Sequence, residues 1–534
     1  MTGDRIMGSI IVTRLSIPTF LALMAAVMLF QVLARPAVPV DETRYLAVAW
    51  EMHLSGDAFH LTRNFESYSH KPPLLFWLIN GLWLVTGVSD IAARLVGPAF
   101  ALLAMAGTGL LAWQLWPQVE GIALRAVIAL AGFTVFVAYG GATMFDALLT
   151  VVVLAGMGLI WRIGQWGASS RHWLLLGGVI GAGVLAKGPV IVVHLLPILL
   201  LIRWWAPEPP AWRDLARGVG IAILLALGIA ALWLVPALMT GNAANWQDLL
   251  WAQTADRISG TLGHGRPFWF LWALLPVILF PWGWSWRLWR AVPGVVRGDA
   301  AGLFCAIWAL SGMVLFTLIG GKQIHYLLPE LPAVALLVAR VLPLVGADRR
   351  DGSLAPMLPM VLSVIAVLFA VGVVPVGNGG ADLAPAGAVI LFAAVCLVLA
   401  AAAFRLPLMA GHLVLGVGLS LAAHMLVLTS RLYVAYDTAP IAARLAEAAP
   451  RGIAVVNLGY NAEFNFAGRL TVPVATPSAS ELAGWAMAHP KGLIVGQVAS
   501  LPLPPAETIR FYGHDFGLWP VTEALISQVS GRAD

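Results

Sequence analysis

Charge is what this sequence has least of. Only 11% of its 534 residues are Asp, Glu, Lys or Arg, whereas 60% are hydrophobic; a soluble domain carries roughly 25% charged residues. That balance excludes an ordinary water-facing surface. Cysteine is almost absent too. Cys305 and Cys396 each lie inside an apolar run, so neither a disulfide framework nor a cysteine-based zinc site can be built from them. Phosphate-binding glycine loops are missing: the best candidate, NLGYNAEF at 457–464, has neither of the two nucleotide-loop spacings. No short-period repeat is present. The net charge of +5 does not point to nucleic acid, because its meaning depends on where the bases sit relative to a lipid phase.

What the chain does have is apolar length. About 20 apolar residues cross a hydrocarbon core, and runs of that kind fall at 12–34, 91–115, 121–140, 146–163, 172–187, 188–204, 216–240, 267–286, 302–319, 327–346, 355–376, 384–403 and 407–430. These predict an all-α polytopic membrane protein of about 13 transmembrane helices over residues 1–430. The first run follows Arg5 and Arg14, and more spans come after it, so it reads as a retained signal-anchor. The apolar segment 72–88 is expected to lie in the interface, within a first outer loop of about 35–90. From about 431 to 534 the pattern changes. IAVVNLGYN and KGLIVGQVA read as short buried strands, and APIAARLAEAA and SASELAGWAMAHP as amphipathic helices, giving a small α/β domain.

With the N-terminus cytoplasmic, one set of loops collects Arg162, Arg171, Arg203, Arg213, Arg217, Arg287, Arg290, Arg297, Arg349, Arg350 and Arg405. This is the positive-inside pattern. It predicts a multi-pass inner-membrane protein with its first loop and its tail on the periplasmic side. The opposite loops nevertheless hold Arg44, Arg63, Lys71, Arg94, Lys187, Arg257, Arg266 and Lys322. Any one of them could be a snorkelling anchor. Eight on one face, in the company of Asp41, Glu42, Asp146, His70, His264 and His325, are better explained together, as a site for an anionic, membrane-delivered ligand such as a lipid phosphate.

Six short stretches carry that expectation. VPVDETRYLAVAWEM places Asp41, Glu42 and Arg44 at the start of an amphipathic helix, where helix capping by Asp41 is the bland alternative. SYSHKPPLLFWLIN sets His70 and Lys71 before a proline pair that starts a new helix, so the lysine sits where backbone N–H groups already favour an anion. YGGATMFDALLT puts Asp146 at the outer end of a span, where an unpaired acid is costly. VLAKGPVIV places Lys187 in a hairpin between spans. ADRISGTLGHGRPFWF contributes Arg257, His264 and Arg266, and GGKQIHYLLPELPAVALL contributes Lys322, His325 and Tyr326. His70 and His264 are the one pair through which a divalent metal could enter, and two histidines so far apart make a thin case for it.

Taken in this order, DETRYLAVAWEM, HLTRNFESYSHKPPLLFWL, ARLVGP, MFDALLT, VLAKGP, HGRPFW and KQIHYLLPELPAVALL closely resemble the bacterial family 39 glycosyltransferases. These comprise the lipid A aminoarabinose transferases and the dolichyl-phosphate-mannose-protein mannosyltransferase relatives, with the GT-C fold. The resemblance runs through most of residues 1–345. It implies an inverting enzyme that moves a sugar from a polyprenyl-phosphate carrier to lipid A, lipopolysaccharide or a related acceptor outside the membrane. Under it, Asp41 would be the catalytic carboxylate and Asp146 the second acidic position. Lys71 would hold the carrier phosphate, with Arg44, Glu42, His70, Lys187, Arg257, His264, Arg266, Lys322 and Tyr326 as further substrate contacts. One departure stands out: the aminoarabinose transferases place an acid before the motif lysine, and here it is His70. The competing class is a transporter or flippase for a lipid-linked anion, for which inverted repeats and midplane charges would be expected. A third is a scaffold whose tail binds a partner.

Overall fold

The computed structural model describes residues 15–167, 169–240, 265–346, 353–373 and 384–530. Among these, seven helices are long and apolar enough to cross a membrane: Asp90–Leu115, Phe145–Gln165, Trp212–Met239, Ala300–Leu318, Ile324–Val345, Ala386–Arg405 and Leu408–Thr429. An eighth span is formed if the pair Ile122–Ala131 and Thr134–Gly140, bent by 74°, is counted as one. Shorter apolar helices cover Ile17–Leu33, Leu74–Thr86, Val190–Leu200 and Met357–Ala370. The outward faces of these helices are apolar. On Trp212–Thr240, for example, Leu224, Leu227, Leu232 and Val235 are all exposed. A contiguous apolar surface on that scale requires a lipid solvent, and the chain is a multi-pass membrane protein.

The bend after Ala131 has a packing cause. The Trp282 indole donates to the Ala129 carbonyl at 2.8 Å, and its ring lies against Gly132. From the other side Gly416 approaches so closely that a Cβ there would lie 1.8 Å from the Gly132 carbonyl oxygen. The apolar run 267–286 is not one rod but a series of short turns. Phe270–Ala273 and Leu275–Ile278 are single-turn helices and Trp282–Trp284 is a 3-10 turn. Pro276, Pro281 and Gly283 fall within this run, and each interrupts the helical hydrogen-bond ladder or weakens it. Trp286–Gly298 follows as an amphipathic helix. Its Leu288 and Val295 are buried, and Trp286, Arg287, Arg290 and Arg297 are exposed, the distribution of a helix lying in a membrane interface.

Before the Asp90–Leu115 helix, residues 41–86 form a small substructure. Asp41–Ser55 is a helix with a buried apolar face, closed by Gly56 in the left-handed conformation. A two-stranded hairpin follows, β1 (Thr62–Arg63) against β2 (Glu66–Ser67), and then the Leu74–Thr86 helix. Tyr45, Ala49, Leu75, Phe76, Ile79 and Phe145 pack together beneath it.

The C-terminal stretch carries a four-stranded mixed sheet, β3 (Ile453–Val456), β4 (Leu493–Gln497), β5 (Glu507–Phe511) and β6 (His514–Pro520), in the order β3-β4-β6-β5. β3 and β4 run parallel, and the remaining pairs are antiparallel. Alternation splits its core between two faces. Ile453, Val455 and Val495 pack with Ile441 and Leu445 on one side. Ala454, Val456 and Ile494 pack with Leu482 and Leu525 on the other. This sheet unit rests on the 41–86 substructure. Trp50 donates from its indole to the Leu470 carbonyl at 2.9 Å, Phe466 stacks on Trp83 with centroids 5.5 Å apart, and the Arg469 guanidinium lies 3.8 Å from the Phe466 ring centroid.

Candidate active site

Asp41 is the first residue of its helix, where a carboxylate is favoured by the helix dipole. Val40, not Asp41, is the cap. Asp41 Oδ1 is bound by Arg44 and accepts the Tyr45 hydroxyl at 3.1 Å. Burial, and then the neighbouring Asp41 charge, push the Tyr45 phenol well above its ordinary value, so Tyr45 remains a donor at all physiological pH. Oδ2 has no partner among the described residues, and the Asp41 side chain is 39% exposed. It presents one lone-pair oxygen outward.

Glu42 does the opposite: it is buried and fully engaged. Arg35 grips both of its oxygens, and the Val38 and Thr143 amides donate to them at 2.9 and 2.8 Å. Burial alone would raise this carboxyl. The Arg35 charge and hydrogen bond, with Arg94 and the Thr143 amide, outweigh it and hold Glu42 below the usual 4.5. Because Thr143 lies two residues before the Phe145–Trp166 helix, this cluster fixes the Asp41 helix against the start of the Asp146 helix. Gly97 lets the 141–144 segment lie close, since a Cβ there would sit 2.0 Å from the Ala142 oxygen. Arg94 completes the clamp by donating to the Val32 and Arg35 carbonyls, both at 2.8 Å.

A folded-state pKa below the unfolded one gives stability that is complete above the unfolded value and is lost as pH falls through the folded one. Resistance to thermal unfolding should therefore weaken with acid below about 4.5 through Glu42. Glu42→Gln should cost ~1–3 kcal/mol near neutrality and flatten that part of the pH series.

Asp146 lies in the first turn of Phe145–Trp166, and Lys187 is the last residue of Ser170–Lys187; both are buried. Lys187 Nζ binds Asp146 Oδ1 and lies 4.8 Å from the Tyr326 ring centroid. His325 Nε2 is 4.0 Å from Asp146 Oδ2. Lys71 follows the hairpin, and Pro73 takes the N-cap position of Leu74–Thr86. Its ammonium lies 5.4 Å from the Phe145 ring centroid, and on the other side Phe145 meets Tyr45 at 4.9 Å. Phe145 is thus the hinge around which the Asp41 helix, Lys71 and Asp146 are gathered.

The other candidates are less central. His70 stacks on Tyr68 at 5.3 Å. The Arg266 amide donates to the Gly320 carbonyl at 3.2 Å, and Lys322 Nζ donates to the Arg266 carbonyl at 3.1 Å, so these two bases mark one corner. Arg257 and His264 lie outside the described residues. No group of three or more metal-ligating side chains occurs among the described residues. Sequence reasoning passed over Phe145, Tyr45 and Arg35. Only Tyr45 carried a signal, its i+4 spacing from Asp41 on a helix.

Residues 70–246 match the family model described as dolichyl-phosphate-mannose-protein mannosyltransferase. An undecaprenyl phosphate-alpha-4-amino-4-deoxy-L-arabinose arabinosyl transferase from Pseudomonas aeruginosa is 28% identical over 314 residues, 57% of this chain and 55% of the relative. One of the same description from Erwinia tasmaniensis is 27% identical over 317 residues, 56% and 54%. The chain thus spans about half the length of the curated relatives it matches. The crystal structure of ArnT from Cupriavidus metallidurans bound to undecaprenyl phosphate superposes with a TM-score of 0.74 over 93% of this chain and 97% of that one, at 19% identity. This is the GT-C fold. In sequence the chain is similar to aminoarabinose transferases over little more than half of its length. The apo form of the same ArnT gives a TM-score of 0.75 at 18% identity. In this GT-C chain the matched family segment starts at His70 and includes Lys71, Asp146 and Lys187. Asp41 falls before it.

Proposed function

We propose that this protein is an inverting glycosyltransferase that moves a sugar from a polyprenyl-phosphate carrier to a hydroxyl of lipid A, or of a related lipopolysaccharide, on the periplasmic face of the inner membrane. The observation that carries the reading is the gathering of Asp41 (through Tyr45), Lys71 and the Asp146–Lys187 pair around Phe145, with His325 beside Asp146. The names of the relatives support a polyprenyl-phosphate donor. They give no support to a transporter.

In this reading Asp41 Oδ2 takes the proton of the acceptor hydroxyl as its oxygen attacks the anomeric carbon. The attack comes from the face opposite the phosphate. The bond from that carbon to the phosphate oxygen breaks, and its electron pair leaves with the polyprenyl phosphate. Lys71 stabilises the charge that develops there. Tyr45 and Arg44 hold Asp41 through Oδ1 and leave Oδ2 to the acceptor. Asp146 is neutralised by Lys187, and the pair would order the wall beneath the sugar. We assign the 431–534 region to the same periplasmic side as a separate α/β domain. His70 stands where the aminoarabinose transferases carry an acid, so that negative charge is missing beside the donor and the sugar need not be cationic.

Lys71→Gln should weaken undecaprenyl phosphate binding about 10- to 100-fold, the size of a lost charge-assisted contact. Titration of the purified protein with that lipid is the check, and an unchanged affinity would remove Lys71 from the site. Mass spectrometry of lipid A from cells with and without the protein would identify the sugar. Loss of an amino sugar, or of a neutral one, distinguishes the two donors. No change in lipid A or lipopolysaccharide would overturn the acceptor.

A further inference from the structure

One buried carboxylate lies outside the proposed reaction. Glu51 is on the Asp41–Ser55 helix and is almost fully buried. Its Oε1 accepts the Asn64 amide at 2.7 Å, and Oε2 accepts the Phe65 amide at 2.8 Å. Oε1 also accepts the Asn465 side-chain amide at 3.1 Å. Asn64 and Phe65 form the tip of the β1–β2 hairpin with φ of 55° and 62°. Two consecutive left-handed residues, neither of them glycine, persist only where surrounding contacts impose them. Glu51 supplies those contacts from below.

The C-terminal region supplies them from above. The Asn64 side chain exchanges two hydrogen bonds with the Val474 backbone, both at 2.9 Å. Next to it, Arg63 donates to the Asn461 side chain at 3.0 Å. The hairpin therefore ends in a knot between two parts of the chain about 400 residues apart. It then leads directly into Lys71. The Arg63 guanidinium lies 5.7 Å from the Tyr68 ring centroid, and His70 stacks on that ring, so the register of the hairpin is passed to the residue beside the lysine.

Burial pushes the Glu51 carboxyl up, against the hydrogen bonds that lower it, so its charge is an expense to the folded state. An apolar residue there would leave the two adjacent amides unpaired.

We propose that Glu51 is a positioning residue which, with Asn64 and Asn465, ties the C-terminal region to the hairpin leading into Lys71, so that the C-terminal region sets the affinity of the site for a lipid phosphate. The last step rests on the reading of Lys71 given above. The test uses the full chain, with Glu51→Gln, Asn465→Ala and Lys71→Gln compared by amide hydrogen exchange, melting temperature and titration with undecaprenyl phosphate. Exchange across residues 62–71 should quicken in Glu51→Gln and Asn465→Ala, with little change in melting temperature. Affinity for the lipid should fall about fivefold in each, the equivalent of one hydrogen bond. Unchanged exchange over 62–71 in both variants overturns the tether, whatever Lys71 binds. Faster exchange with wild-type affinity, alongside a Lys71→Gln variant that has lost binding, overturns the link to the site. Wild-type affinity in Lys71→Gln itself overturns the Lys71 reading, and with it that last step, while the exchange result still decides the tether.

Discussion

Asp41→Asn is expected to lower sugar transfer from an undecaprenyl-phosphate-linked donor by about 10²- to 10⁴-fold, the usual share of a general base. The substitution is nearly isosteric, and the amide oxygen can still accept from Arg44 and Tyr45 as Asp41 Oδ1 does. What it removes is the second oxygen as a proton acceptor. Since the side chain is 39% exposed and makes no buried ion pair, the melting temperature should move little. Undecaprenyl phosphate affinity should also stay close to wild type, because the proton transfer belongs to the transition state and not to carrier binding. Initial rates with purified protein, set beside a lipid titration, separate these quantities. A variant that transfers sugar at the wild-type rate would show that Asp41 is not the base. Loss of carrier affinity equal to the loss of rate would make it a binding residue.

Lys187→Met is expected to have the largest effect on stability. It leaves the Asp146 carboxylate buried without its counter-ion, at a cost of about 3–5 kcal/mol. His325, 4.0 Å from Oδ2, cannot replace a direct ion pair. Asp146→Asn should be damaging for the complementary reason, since it leaves the Lys187 ammonium buried beside the Tyr326 ring. The double variant Asp146→Asn with Lys187→Met removes both charges together and should recover most of the lost melting temperature. If transfer stays low in that stabilised double variant, the pair contributes to the reaction. If transfer returns with stability, the pair is scaffolding. A double variant no more stable than Lys187→Met alone would show that the two groups do not compensate each other.

Of the thirteen expected spans, eight were legible in the sequence among the described residues, counting the bent pair as one, because hydrocarbon leaves few options. A segment must satisfy its own backbone and be apolar over the whole crossing. The runs 12–34, 172–187, 188–204 and 355–376 give helices too short or too polar to pass as crossings on their own. The region 267–286 shows the limit of that logic. Hydropathy registers it as one span, but Pro276, Pro281 and Gly283 divide it into turns. The helix that follows carries the arginines expected in a loop. Within the candidate site, Asp41, Lys71 and Asp146 were readable because each is a charge where charge is expensive. Their geometry was not, because it depends on Phe145, an apolar residue among many. The Glu51 knot was equally hidden. Its partners, Asn465 and Val474, are 414 and 410 positions from Glu51 and Asn64 respectively, a separation that no local pattern can bridge.

The hydrogen bond from Trp50 to Leu470 has a consequence for how the chain threads the bilayer. Two segments that touch in this way occupy the same aqueous compartment. The chain between them must therefore cross the membrane an even number of times, whichever compartment that is. The 41–86 segment is also translated long before the residues that hold its hairpin, and it cannot reach its final form until every intervening crossing has been inserted.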